Sequence, residues 1–257
     1  MTAATLGVRA LPVARVTLGT MRLGNAGGED AAADLLDRAW ALGVRSFHCS
    51  AEYESFPLFA AAWRRAGLAG RGATLIAKLA SPHFGEDRFS ADQVRAKLDA
   101  YAHALGVERV DVVQWLLRHD LKREEARLQI LREAADEIAA TAAALKREGA
   151  IGAFVGFPYT RPIADALVAA DWCDGLALYV NPLEREMDAV VDACQAAGKA
   201  VVAIRPYAAG RVFTETGLTA GQALDHVFSQ PAVATAVVSC SSEHHLSALL
   251  PYLDPRR

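Results

Sequence analysis

Cysteine is scarce and scattered. Cys49, Cys173, Cys194 and Cys240 stand far apart, with no CxxC and no Cys/His pair at metal-ligand spacing. That argues against a disulfide framework or a thiolate metal site and for reduced, mostly buried thiols. No apolar run reaches the ~20 residues a membrane-spanning helix needs, and no positive-then-apolar leader opens the chain. Charge of one sign is lacking too. The 27 lysines and arginines nearly balance 30 aspartates and glutamates, a net −3 that offers nucleic acid or anionic membrane no basic face. The expectation is a soluble, cytoplasmic protein whose partner is a small molecule. Linkers, low-complexity segments and charge blocks are also missing, so nothing marks a second domain.

What is present is alternation. Short apolar strands are expected at 16–21, 44–49, 74–77, 111–117, 150–157, 175–180, 200–204 and 234–239. Helical spacing lies between them at 29–42, 56–66, 90–105, 124–148, 161–170, 184–197, 219–229 and 242–253. Ser90 and Gln93 read as a capping box. Eight such repeats in 257 residues suit one (β/α)8 TIM barrel spanning 1–257, with 1–15 as a hairpin closing its bottom. The competing arrangement is a doubly wound open sheet, but no GxGxxG follows an early strand.

Two strand ends carry chemistry. One is Arg45-Ser46-Phe47-His48-Cys49-Ser50-Ala51-Glu52-Tyr53, and the other is Thr74-Leu75-Ile76-Ala77-Lys78, with the lysine expected to end its strand. With Leu18-Gly19-Thr20-Met21-Arg22-Leu23-Gly24, Tyr179-Val180-Asn181-Pro182-Leu183 and Pro206-Tyr207-Ala208-Ala209-Gly210, the chain resembles the aldo-keto reductases over nearly its full length. The resemblance implies a tyrosine proton donor, Tyr53, tuned by Lys78, and NADPH as hydride source. It also implies departures. His48 stands where the family has aspartate, and Leu116 where it has histidine, the nearest alternative being His119. Phe157-Pro158, Ala177 and Ile204 occupy places that usually grip the nicotinamide. If NADP(H) binds, the resemblance assigns its contacts to Thr20, Met21, Ser241 and His245. Whether NADP(H) is used therefore stays open.

Active sites of such barrels gather at the C-terminal strand ends. Period-two alternation turns His48, Tyr53, Lys78, Gln114, Arg118 and Arg205 toward that mouth. Unpaired buried cations are costly. Either Arg118 and Arg205, with His119 and Gln114, hold an anionic substrate, or Glu52, Asp120 and Glu184 neutralise them. His244 and His245 are adjacent on a helix and share no face, so no metal is expected. Three functions stay open: acid–base chemistry on a small anionic carbonyl or hydroxyl compound, NADP(H)-dependent reduction, or ligand binding without turnover.

Overall fold

A computed structural model describes residues 10–253. Eight parallel strands close into a barrel in chain order: β1 (Val16–Gly19), β2 (Ser46–Ser50), β3 (Thr74–Ala80), β4 (Val110–Leu116), β5 (Ile151–Phe157), β6 (Gly175–Tyr179), β7 (Ala200–Ile204) and β8 (Val233–Ser239). Closure comes from β8 pairing with β1, Val16 to Gly19 lying beside Ala236 to Ser239. A closed sheet has no free edge to protect, and the open-sheet alternative is set aside.

Around it lie α1 (Glu29–Ala41), α2 (Phe56–Arg65), α3 (Ala91–Leu105), α4 (Glu124–Glu133), α5 (Ala135–Arg147), α6 (Arg161–Ala169), α7 (Asp188–Ala196), α8 (Ala220–Phe228), α9 (Glu243–Ser247) and α10 (Leu250–Leu253). None of these helices is long and apolar enough to cross a membrane. Strand alternation sorts the apolar residues into two layers. Phe47, Leu75, Val113, Trp115 and Phe154 face the helices, where Phe47 meets the Trp63 ring edge-on. Ile76, Val112, Val155, Val202 and Val237 fill the barrel interior.

Several expected boundaries move. The single helix expected over 124–148 is two, broken at Ala134. Neither glycine nor proline marks the break. The two halves face different neighbours, α4 against α6 and α5 against α3 and β5. The expected helix at 184–197 starts only at Asp188, because Asn181 Oδ1 accepts from the backbone N–H of Leu183 and Glu184 and holds a turn there. The stretch 242–253 forms two short helices. At α3, Ser90 Oγ accepts from Gln93 N, but Ser90 N donates to Ser81 Oγ, so only half of the expected capping box forms. A complete box opens α8, between Thr219 and Gln222. Of the expected N-terminal hairpin, most lies outside the described residues; Leu11 and Val13 join the interior layer.

Close packing of strands leaves one glycine no alternative. A Cβ on Gly175 would sit 2.3 Å from the Ala200 carbonyl oxygen, backbone that the β6–β7 pairing fixes. Gly175→Ala is expected to lower unfolding stability by at least about 1–3 kcal/mol. Urea titration measures it, and an unchanged midpoint would refute this account of the strand contact.

Candidate active site

Strand β3 runs two residues past Lys78, since Leu79 and Ala80 pair with Trp115 and Leu116 of β4. Lys78 is therefore inside its strand rather than at its end, and its register partner is Gln114. Both face the interior, together with His48 of β2. Tyr53 arrives from the turn after β2, where its N–H donates to Ser50 O and its carbonyl accepts from Phe56 N. Ser55 Oγ ties that turn to Thr20 O beyond β1.

One side chain outside the barrel ties the two segments together. The Tyr101 hydroxyl, on the buried face of α3, accepts from Ala51 N and donates to Lys78 O, each at 2.6 Å. It joins the turn carrying Tyr53 to the strand carrying Lys78. In sequence it reads as one more apolar residue of α3, and nothing there reveals the bridge.

The mouth opens into a cavity of about 680 Å³, within the range of small-molecule and cofactor sites. His48, Tyr53, Lys78, Gln114, Arg118 and Arg205 all line it. His48 Nε2 lies 2.9 Å from Gln114 Oε1. Because a carboxamide oxygen only accepts, this nitrogen carries the proton and Nδ1 keeps a lone pair. Burial, partly offset by the Gln114 bond and reinforced by Lys78, pushes the His48 pKa down to about 4, so the ring is neutral at physiological pH.

Lys78 Nζ stands 5.2 Å from the Tyr53 ring centroid. Among the described residues its amine has no hydrogen bond or ion pair. Burial, helped by Arg118 and opposed by Glu52, brings its pKa down to about 8. Burial raises the Tyr53 phenol well above its ordinary range, a change that Arg118 only partly opposes. Tyr53 is thus a protonated hydrogen-bond donor at neutral pH.

The two arginines are supplied with acids by the protein itself. Arg118 Nε donates to the Tyr159 hydroxyl at 2.7 Å, and its Nη1 pairs with Glu52 Oε2. Glu52 Oε1 also meets His83 Nε2 at 3.1 Å. Arg205 Nη2 pairs with Glu184 Oε1 at 2.8 Å, its guanidinium 4.8 Å from the Tyr179 ring centroid. Asp120, expected as a third neutralising acid, instead accepts from Lys122 N in its own loop.

Other expected residues fall differently. His119 Nδ1 donates to Glu86 O at 2.8 Å and does not line the cavity. The expectation that it contacts substrate is corrected, because its offset along the chain turns it toward the loop after β3. Thr20 is buried, its hydroxyl donating to His48 O, and it braces β2 without reaching the cavity. Ser241 is also outside the lining, whereas Met21 and His245 are part of it. Tyr159, Tyr179, Phe213 and Ser239 join the lining without having been anticipated. They come from loops and strand ends whose proximity only barrel closure creates.

A closed eight-stranded parallel barrel whose mouth is lined by a tyrosine and a lysine defines a protein of the (β/α)8 class. Residues 15–221 match the model of the aldo/keto reductase family. The chain belongs to that family. Among solved structures it is similar to the holo form of an aldo-keto reductase from Bacillus halodurans, with a TM-score of 0.75 and 17% identity over 96% of this chain and 90% of that one. It is also similar to an aldo/keto reductase from Klebsiella pneumoniae in complex with NADP and acetate. There the TM-score is 0.71 and the identity 19%, over 94% of this chain and 86% of that one. At such identities these two likenesses carry the fold alone. No curated protein sequence matches.

A half-buried ammonium without an ion pair burdens the native state, which gives a stability prediction. The folded pKa of Lys78, about 8, lies below its ordinary 10.5, so between these values the unfolded chain holds the proton more tightly. Native stability therefore rises with pH across that window. Lys78→Met is expected to stabilise the protein by about 1–2 kcal/mol near pH 7, after allowing for water at the open end of the cavity. The gain should shrink as pH climbs from 8 toward 10.5, as measured by chemical denaturation at several pH values. A variant less stable than the parent at neutral pH would contradict it.

Proposed function

We propose that this protein is an enzyme acting on a small carbonyl compound with an acidic group, moving a proton at the carbon next to the carbonyl without hydride transfer. One observation carries the reading: a phenol and an amine whose pKa values are driven apart line the same cavity wall. Such separation is what acid–base pairs need. Tyr53, kept protonated, donates a hydrogen bond to the carbonyl oxygen and stabilises the charge that builds there. Lys78, at about 8, is poised near neutral pH to take the adjacent proton. Arg118 uses Nε and Nη1 on Tyr159 and Glu52, leaving Nη2 for the substrate's acidic group.

The family implies NADP(H), and the donor set tests that implication. The walls that the resemblance assigns to the nicotinamide carboxamide include Phe157 and Ile204, whose side chains offer no hydrogen bond, and the Gln114 carbonyl is already taken by His48. These residues do not fit that end of the cofactor, and no step is assigned to it. A second reading, an NADP(H)-dependent oxidoreductase with an unusual cofactor cradle, is favoured by the reach of the cavity. It runs from Lys78 as far as Arg22 and His245, further than a small substrate requires.

Two measurements decide between them. Hydrogen–deuterium exchange next to the carbonyl of a panel of 2-oxo acids and hydroxy-aldehydes, followed by NMR without nicotinamide, is expected to show turnover. Tyr53→Phe should slow it about 10²–10⁴-fold, and the rate should fall as pH drops below 8, where Lys78 takes up its proton. A thermal shift with NADPH tests the other reading, since tight binding at 100 times Kd adds about 2.7 kcal/mol. Carbonyl-dependent oxidation of NADPH, with no exchange in its absence, would replace the proton-transfer reading by the reductase.

A further inference from the structure

The amine of Lys78 differs from the other lysines in its surroundings. Lys146 Nζ is paired with Asp174, Lys199 Nζ donates to the carbonyls of Ala170 and Cys173, and Lys97 Nζ donates to Ala80 O. Lys122 is exposed on the surface. Lys78 is half-buried on a cavity wall, and among the described residues no acceptor holds its nitrogen. The reasons are local. The inward position of β2 that faces the same space holds His48, a neutral ring already bonded to Gln114. Glu52, the nearby acid, is engaged by both Arg118 and His83. The guanidinium of Arg118 further disfavours charge on the amine. Desolvation and a neighbouring cation are two means by which lysine amines become nucleophiles toward carbonyl carbon.

We propose that Lys78 is a covalent carbonyl-capture site, its Nζ forming an imine with an aldehyde or ketone held in the cavity. The proposal deepens the reading of the mouth as a hydride-free carbonyl site and rests on it. It changes the role of Lys78 from proton acceptor to nucleophile. The nitrogen lone pair forms a bond to the carbonyl carbon, and the π pair moves to oxygen, which takes the Tyr53 proton. The new N–H proton returns to the tyrosinate, leaving a neutral carbinolamine. The nitrogen lone pair then expels the hydroxyl group, which leaves as water after a second proton passes from solvent through Tyr53. The net change is amine plus carbonyl plus one proton, giving iminium plus water. The iminium withdraws electrons from the neighbouring carbon and so acidifies its C–H.

Reductive trapping tests this on the full-length protein. Limiting acetaldehyde with cyanoborohydride, which reduces imines in preference to aldehydes, is followed by peptide mapping for N-ethyl-lysine. Lys78 is expected to be labelled at least about tenfold faster than Lys122, since each unit below the ordinary 10.5 enlarges the neutral fraction about tenfold. Tyr53→Phe should slow labelling at Lys78 and leave Lys122 unchanged. Lys78→Arg keeps the charge but cannot form the imine, so it should remove that label alone. The parent map needs no variant and decides the question even if Lys78→Arg fails to fold. Labelling at Lys122 equal to or faster than at Lys78 overturns the proposal. If that happens while Tyr53-dependent exchange persists, Lys78 is the base and the hydride-free reading survives. If exchange is absent but Lys78 is preferentially trapped, the capture site stands and the proton-transfer reading falls.

Discussion

Pairing of β8 with β1 is the constraint from which everything at the mouth follows. Once the sheet is closed, alternate residues of every strand must point into a space that only a few side chains can fill. Lower in the barrel that space is taken by Ile76, Val112, Val155, Val202 and Val237. Toward the C-terminal ends His48, Lys78 and Gln114 take inward positions among apolar neighbours such as Leu116, Phe157 and Ile204. The cavity is thus the upper end of the barrel core, where polar side chains join the apolar ones.

Electrostatics within that cavity are decided by which acids reach which cations. Glu52 and Glu184 meet Arg118 and Arg205, and none reaches Lys78. The resulting site has ion-paired arginines at its rim, Arg118 with Nη2 still open, and an amine without an ion pair on its wall. Charge on that amine is opposed by burial and by Arg118 together. Tyr101 makes the arrangement rigid from behind, because one hydroxyl fixes both the Tyr53 turn and the Lys78 strand. The placement of Tyr53 and Lys78 therefore depends on a residue that does not line the cavity.

The segment that follows β7 adds a local cost at the same rim. Arg205, Ala208 and Ala209 all have positive φ, 55°, 45° and 59°, a conformation uncommon for residues with side chains. Glu184 on Arg205 and the Asn181 amide donating to the Arg205 carbonyl hold that backbone in place. Strain of this kind persists only where surrounding contacts over-determine it.

Strand and helix order, the eight-fold repeat, and the inward direction of His48, Tyr53, Lys78 and Gln114 were legible in the residues, because period-two and helical spacing are local properties. The break at Ala134 was not, since packing on different neighbours imposes it without a glycine or proline. The true end of β3 was also hidden, because Leu79 and Ala80 are strand only by pairing with β4. His119 was misplaced for a related reason: direction beyond a strand's end is set by loop contacts such as Glu86 O. Sequence alone determined that a tyrosine, a lysine and a histidine would gather at one end of a barrel. Only the tertiary structure decided which of the charged groups found partners, because ion pairing depends on distances between segments that are far apart in the chain.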